Sequence, residues 1–251
     1  MRILVSNDDG IDAPGLGALV EQLSRAHDVW VVAPADEQSA KSHSLTMHVP
    51  LRAIPRGPQR WAVTGTPADC IYVAVHHLLV ENLPDLVVSG INHGGNIGTD
   101  VHYSGTVAAA REASLQGFQA VAISLQRLQR GDPNHWDTAC GVAERVVNGI
   151  AAAPMPGRVF LNVNVPSVAP GELRGIKACR LGDRIYGPLV DARIDPRGRP
   201  YLWIGGPHLN YGPDPDADGP SVEAGWATVT PLSAHLTSEA DLPRIRAWTD
   251  A

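Results

Sequence analysis

Lysine and cysteine are both scarce in this 251-residue chain. Lysine occurs only at Lys41 and Lys177 and the formal net charge is −6, so the chain lacks the basic face with which proteins bind long nucleic acids. The three cysteines, Cys70, Cys140 and Cys179, are widely spaced and form no CxxC or zinc-ligand pattern. We therefore expect reduced thiols in a cytoplasmic protein.

Long apolar runs are absent as well. No run approaches the roughly 20 residues of a transmembrane helix, and only a very short apolar stretch precedes Asp8. We therefore expect neither a membrane span nor a signal peptide. Hydrophobic residues make up 44% of the chain and charged residues 18%, which is typical of a globular protein. The chain is long enough to bury a core in one domain, or in one domain with an accessory piece.

Two adjacent carboxylates, Asp8 and Asp9, follow the apolar run Ile3 to Val5. An aliphatic run of this length that ends in polar residues and glycine predicts a buried strand opening into a loop. Like charges about 4 Å apart repel by roughly 1 kcal/mol in water and by roughly 4 kcal/mol at an effective dielectric of 20. The pair therefore favours a nearby cation, although a solvated Asp-Asp-Gly turn is the alternative.

Strand and helix patterns alternate through the first half of the chain. We predict strands at 3–5, 29–33, 47–54, 61–64, 86–88, 121–123 and 159–163, and helices at 13–25, 67–81, 106–115 and 136–151, with Thr66 as an N-cap. Apolar strands separated by amphipathic helices indicate an α/β fold, with a three-layer, Rossmann-like and mostly parallel sheet. Right-handed crossovers place the strand-to-helix loops on one edge, where such sheets bind ligands.

The pattern changes near residue 171, where glycine and proline become frequent and the helical periodicity fades. Short strands are predicted at 201–204 and 226–230, but this segment has too few apolar residues for a core of its own. We therefore predict a catalytic core at 1–170 and a β-rich C-terminal extension at 171–251. The extension is expected to add to the first domain or to contact a partner subunit.

Oxygen donors follow three different strands at the predicted ligand edge. Asp8 and Asp9 follow the first strand, Ser39 lies in the loop after the second, and Asn92 ends the run that begins at Leu86. Carboxylate, hydroxyl and amide oxygens are hard donors that suit Mg²⁺, Mn²⁺ or Ca²⁺ rather than zinc. Two carboxylates would balance the charge of one divalent ion, so that an anionic substrate could approach.

A glycine-rich loop spans residues 90–106 and leads into a predicted helix. Ser104, Gly105 and Thr106 lie where that helix should begin, so its free amides and its dipole favour a phosphate. No lysine follows the glycines and the GxGxxG spacing is absent, so the loop is neither a Walker loop nor a dinucleotide-binding turn.

Several motifs, taken in order along the chain, resemble those of the SurE survival-protein family of metal-dependent 5′- and 3′-nucleotidases. They are Asn7-Asp8-Asp9-Gly10, Val31-Val32-Ala33-Pro34, Ser42-His43-Ser44-Leu45-Thr46, Gly65-Thr66-Pro67-Ala68-Asp69-Cys70, Ser89-Gly90-Ile91-Asn92, Tyr103-Ser104-Gly105-Thr106-Val107 and Val229-Thr230-Pro231-Leu232. Long motifs in a fixed order are more specific than any single one. The chain departs from the family pattern at Ala40, where the family usually has glycine.

The resemblance implies a homodimeric or homotetrameric enzyme that hydrolyses nucleoside monophosphates with one divalent ion, Mg²⁺ or Mn²⁺, per subunit. The implied metal ligands are Asp8, Asp9, Ser39 and Asn92, and the implied phosphate contacts are Asn96, Ser104, Gly105 and Thr106. Asp8 is the candidate for positioning or deprotonating the attacking water. Two alternatives are a nucleotide-sugar transferase, whose folds also place acidic residues at a metal, and a nucleotide-binding regulator without turnover.

Overall fold

The computed structural model describes residues 1–249, which form a sheet of nine strands with helices on both faces and two small sheets. The strands are β1 (Arg2–Ser6), β2 (Asp28–Pro34), β3 (Ala53–Gly57), β4 (Arg60–Val63), β5 (Leu86–His93), β6 (Gln119–Gln126), β7 (Val159–Pro166), β8 (Ile176–Ala178), β9 (Arg184–Tyr186), β10 (Leu189–Ile194), β11 (Pro200–Gly205), β12 (His208–Tyr211) and β13 (Ala227–Ser233). The α-helices are α1 (Pro14–Ser24), α2 (Pro67–Val73), α3 (Gly105–Leu115), α4 (Trp136–Ala152), α5 (Asp218–Glu223) and α6 (Leu242–Thr249). None of these helices is long and apolar enough to cross a membrane.

The large sheet has the strand order β3-β4-β2-β1-β5-β6-β7-β13-β8. The neighbouring strands from β4 to β7 in this order are parallel, whereas β3 and β13 run antiparallel to β4 and β7. The central strands β1, β5 and β6 are buried almost throughout, which explains their continuous apolar runs. The predicted α/β fold with a mostly parallel sheet is confirmed.

Two apolar cores, one on each face of the sheet, hold the three layers together. Ile3 and Val5 of β1 face the core under α1 and α4, whereas Leu4 faces the core under α2 and α3. Alternate residues of a strand point to opposite faces, so this single strand contributes to both cores. All three side chains are fully buried.

Two predicted elements differ from the structure. The strand predicted at 47–54 begins only at Ala53, and Met47 and Val49 are 77% and 64% exposed. Pro50 has no N–H to donate to a neighbouring strand, which disfavours pairing there. The helix predicted at 67–81 ends at Val73 and continues as a π-helical turn at Ala74–Leu78. Its start is as predicted, because the Thr66 hydroxyl accepts the N–H of Asp69.

The segment after residue 170 contributes both to the large sheet and to structures beside it. Strands β8 and β13 complete one end of the large sheet. Strands β10 and β11 pair as an antiparallel hairpin, and β9 and β12 pair as a second two-stranded sheet. The predicted strands at 201–204 and 226–230 correspond to β11 and β13. The division into a core and an extension at residue 170 stays a prediction.

Candidate functional site

The turn after β1 directs the first carboxylate into the protein. Asn7 is fully buried and its Nδ2 donates to the carbonyl oxygen of Gly10 at 2.9 Å, which closes the turn. Gly10 has a φ of 102°, in the left-handed region that glycine adopts without strain. As a result Asp8 is only 4% exposed, while Asp9 is half-buried.

Asp8 lies against the first turn of α3. The Thr106 hydroxyl donates to Asp8 Oδ1 at 2.5 Å. A side chain at position 105 would place its Cβ 2.7 Å from the Cβ of Asp8, so glycine permits this approach. Burial, reinforced by the charge of Asp9, raises the pKa of Asp8 from 3.8 to about 6 although the Thr106 hydrogen bond opposes the rise.

Asp9 and Asn92 lie where β1 and β5 run side by side. Asp9 Oδ2 accepts the backbone N–H of His93 at 3.1 Å, and burial raises the pKa of Asp9 as well. Asn92 donates its Nδ2 to the carbonyl oxygen of Gly94 at 2.7 Å. This hydrogen bond fixes the amide plane and leaves the Oδ1 atom of Asn92 as a potential ligand oxygen.

Ser39 reaches the same cleft from the loop after β2. The backbone N–H of Gln38 donates to the carbonyl oxygen of Asp8 at 2.8 Å, which ties this loop to the acidic turn. The Ser39 hydroxyl itself is exposed and donates to Glu37 at 2.8 Å. Ala40 has a φ of 57°, in the left-handed region that glycine adopts more readily than alanine.

Helix α3 begins as predicted, with Ser104 as its N-cap. The Ser104 hydroxyl accepts the N–H of Val107 at 3.0 Å. The amides of Gly105 and Thr106 have no carbonyl acceptor within the helix, because both lie in its first turn. Both the hydroxyl and the backbone N–H of Thr106 face the Asp8 carboxylate, and both oppose the rise in its pKa. The amide of Gly105 is therefore the first-turn group that remains beside this carboxylate for an anion.

Asn96 is held by a buried amide network that the sequence analysis missed. Its N–H donates to Asn164 Oδ1 at 2.8 Å, and its carbonyl oxygen accepts from Asn162 and Asn164 at 2.9 and 3.0 Å. Its side-chain amide donates to Ser124 at 2.8 Å. Asn162 and Asn164 are fully buried on β7, and two asparagines at alternate positions of an otherwise apolar strand are the signal that would have revealed them.

A cleft of about 360 Å³ brings these groups together. It is lined by Asp8, Ser39, Ala40, Asn92, His93, Asn96, Asp100, Tyr103, Ser104 and Tyr186. Five of the residues predicted from the sequence therefore line one cleft. Asp9 contacts the lining residue His93, and Gly105 and Thr106 adjoin Asp8. Tyr186 comes from β9, in the segment after residue 170, and no local sequence pattern indicated it.

The donor set at the acidic turn fits a hard divalent cation. Within residues 1–249 no group of three or more His, Cys, Asp or Glu side chains could hold a metal, so a zinc-type centre is not formed there. At the turn, two carboxylates with raised pKa values lie next to an amide oxygen and a hydroxyl. A divalent cation would offset the raised pKa values, because a nearby positive charge favours the ionised form.

This arrangement defines a class of α/β protein in which an acidic pair faces a helix N-terminus at the carboxyl edge of a parallel sheet. The family described as survival protein SurE matches residues 3–188. Over its whole length the chain is 46% identical to the 5′-nucleotidase SurE of Rhodospirillum rubrum, covering 95% of that protein. It is 44% identical to the 5′-nucleotidase SurE of Aeromonas hydrophila, covering 99%. The crystal structure of the SurE protein from Aquifex aeolicus matches with a TM-score of 0.88 and 36% identity over 100% of both chains. The chain belongs to the SurE family.

Proposed function

We propose that this protein is a divalent-metal-dependent 5′-nucleotidase that hydrolyses nucleoside monophosphates to a nucleoside and phosphate. The observation that carries the proposal is the contact between the buried Asp8 carboxylate and the first turn of α3. It places groups suited to a cation beside amides suited to a phosphate. The names of the relatives from Rhodospirillum rubrum and Aeromonas hydrophila support the same activity.

The metal ligands in this proposal are Asp8, Asp9, Ser39 and Asn92, around one Mg²⁺ or Mn²⁺ ion per subunit. When bound, the ion would supply a Lewis acid that polarises a phosphate oxygen and lowers the pKa of a water molecule. Ser39 can keep its hydrogen bond to Glu37, because a hydroxyl that donates its hydrogen still has oxygen lone pairs for a cation. Likewise the Nδ2 of Asn92 is engaged by Gly94 and its Oδ1 is left for the ion.

The phosphate would lie against Asn96, Ser104, Gly105 and Thr106. In this proposal the first-turn amide of Gly105 donates to a phosphoryl oxygen and stabilises the charge that develops during hydrolysis, while Thr106 also holds Asp8 in place. The rigid network around Asn96 keeps its side chain in place during this step. All these contacts are to the phosphate rather than to the sugar, so the proposal extends to 3′-nucleotides.

Asp8 is the proposed general base. Thr106 occupies its Oδ1 atom, which leaves Oδ2 to orient a water molecule and accept its proton.

The experiment is phosphate release from a panel of nucleoside 5′- and 3′-monophosphates with Mn²⁺ or Mg²⁺, repeated after removal of the metal with EDTA. We expect the double variant Asp8→Ala, Asp9→Ala to lose activity by about 10²–10⁴-fold. The matched control is Asp12→Asn, an aspartate whose side chain is 81% exposed. Undiminished hydrolysis by the double variant would contradict the proposal.

We further propose that the protein acts in the cytoplasm as a homodimer or homotetramer through its C-terminal extension. The β10–β11 hairpin supports this assembly, because Ile194 and Ile204 are 72% and 91% exposed. The mass of the protein in solution, measured by light scattering for the wild type and for Ile204→Asp, tests it. A monomeric wild type would contradict it.

A further inference from the structure

Tyr186 lies at the rim of the cleft although it belongs to β9, far along the chain from the other lining residues. It lines the same cleft as Asp8, Asn96 and Ser104. The residue is 43% exposed, so much of it is open to solvent. The proposed metal and phosphate contacts do not involve this ring.

The ring is held by an ion pair across the cleft mouth. Arg184 donates to Asp100 Oδ2 at 2.7 Å, and the Tyr186 hydroxyl donates to the same oxygen at 2.6 Å. The Arg184 guanidinium also lies over the Tyr186 ring, 5.5 Å from its centroid. The phenol oxygen and the face towards Arg184 are therefore occupied, and the His208 ring packs edge-on with its centroid 6.0 Å from that of Tyr186. The exposed remainder of Tyr186 is apolar ring.

A buried carboxylate fixes the same two segments to each other at a second point. Asp218 is fully buried, and it accepts the backbone N–H groups of Gly98 and Gly182 at 2.8 and 3.0 Å. Gly98 belongs to the loop that carries Asn96, and Gly182 lies two residues before β9. Two independent links thus fix the position of Tyr186 relative to the phosphate contacts.

We propose that Tyr186 is a specificity-determining residue whose ring stacks on the nucleobase of the substrate. The inference rests on the proposed function. An exposed aromatic ring that is held rigidly beside an anion site offers an apolar face to a planar group at little entropic cost. Tyr103 is the other tyrosine of the cleft. Its exposed fraction is 67%, and its hydroxyl makes no hydrogen bond within the described residues, so it lacks this anchoring.

The test compares a substrate with a base and one without. KM and kcat are measured with Mn²⁺ for adenosine 5′-monophosphate and for ribose 5-phosphate, using the wild type, Tyr186→Ala, Tyr186→Phe and Tyr103→Ala. We expect Tyr186→Ala to raise KM for the nucleotide about 10-fold, since the stacking of one base on an aromatic ring corresponds to about 1.4 kcal/mol. KM for ribose 5-phosphate and both kcat values should change less than about twofold. Tyr186→Phe keeps the ring and its contact with Arg184 but loses the hydrogen bond to Asp100, so its KM for the nucleotide should rise less than that of Tyr186→Ala.

Calorimetric binding of adenosine, which has no phosphate, gives a readout independent of turnover, and its Kd should rise by the same factor in Tyr186→Ala. The control Tyr201→Ala removes another partly exposed tyrosine, on β11 and outside the cleft. An equal rise of KM for both substrates in Tyr186→Ala would overturn the inference, because it indicates a merely structural role. A base-selective effect in Tyr103→Ala instead would also overturn it. If the wild type releases phosphate from neither substrate, the proposed function itself fails.

Discussion

Replacing Asp8 by asparagine should stabilise the metal-free protein at neutral pH. The asparagine keeps the shape of the side chain, and its Oδ1 still accepts the Thr106 hydroxyl. It removes the buried negative charge, which the folded protein holds at an energetic disadvantage. Asp8 is 4% exposed, so solvent screens this charge little.

The magnitude follows from the raised pKa. A change from 3.8 in the unfolded chain to about 6 in the folded protein corresponds to a free energy of about 3 kcal/mol. The folded state binds the proton of Asp8 more tightly than the unfolded chain does. Protonation of Asp8 therefore contributes its full share to the stability of the folded wild type below pH 3.8, and this contribution is lost as the pH rises through about 6. The Asp8→Asn variant does not undergo this loss. Its advantage over the wild type should therefore be small near pH 4 and reach about 3 kcal/mol at pH 7.

The assay is urea unfolding in EDTA at several pH values between 4 and 8, followed by tryptophan fluorescence. Asp12→Asn serves as the control for the loss of one exposed negative charge and should change stability by less than about 0.5 kcal/mol. Adding Mn²⁺ should reverse the order, because the wild type gains stability by binding the ion and the variant gains less. An Asp8→Asn variant that is less stable than the wild type at pH 7, or a difference that does not vary with pH, would refute the reasoning.

Three further substitutions probe the supports of the site. Asn164→Ala should destabilise the protein by about 2–4 kcal/mol and raise KM, because it leaves the buried N–H of Asn96 without an acceptor. Glu112→Gln should destabilise the protein by about 1–3 kcal/mol, because it removes the charge of a carboxylate that lies 2.7 Å from His43 Nε2. Burial raises the pKa of Glu112, but the hydrogen bond with His43 outweighs this effect and lowers it. The loss should shrink as the pH falls through that lowered pKa, where the wild-type carboxylate is protonated too. Ala40→Gly should stabilise by about 1 kcal/mol, because φ there is 57°.

Each of these changes has a matched control measured by the same urea unfolding. Asn148→Ala removes an exposed asparagine, and Glu21→Gln removes a glutamate whose side chain is 78% exposed. Ala153→Gly introduces glycine where φ is −143°, so it should not stabilise. Equal effects in a variant and its control would show that the named contact or backbone angle is not the cause.

The sequence predicted the parts of the fold that depend on local chemistry. The run Ile3 to Val5 is apolar throughout because β1 is covered on both faces. Such a run predicts a buried strand from the sequence alone. The starts of α2 and α3 could also be predicted locally. In each case the hydroxyl of the residue before the helix, Thr66 or Ser104, accepts the backbone N–H three residues further along the chain. The acidic turn was found because adjacent carboxylates after a buried strand need a physical explanation.

The missed parts depend on contacts between distant segments. Arg184 and Asp100, which hold Tyr186, are 84 positions apart, so no window of sequence shows the pair. The early end of α2 at Val73 likewise has no breaker in the sequence, because a helical turn continues beyond it with a different hydrogen-bond pattern. Asn162 and Asn164 did carry a local signal, but their partner, the backbone of Asn96, is supplied by another strand-to-helix loop.

The burial of Asp8 links folding to the proposed ion. The same apolar surroundings that disfavour the free carboxylate also exclude water from a cation beside it, so they strengthen the attraction between the two charges. Because the Asp8 carboxylate favours folding only when the ion is bound, binding of the ion contributes to the free energy of folding. If the ion binds Asp8, its binding restores up to the roughly 3 kcal/mol of folding stability that the buried charge costs. By reciprocity, the affinity of the protein for the ion should fall steeply as Asp8 takes up a proton. Metal affinity that stayed constant from pH 5 to pH 8 would place the ion away from Asp8.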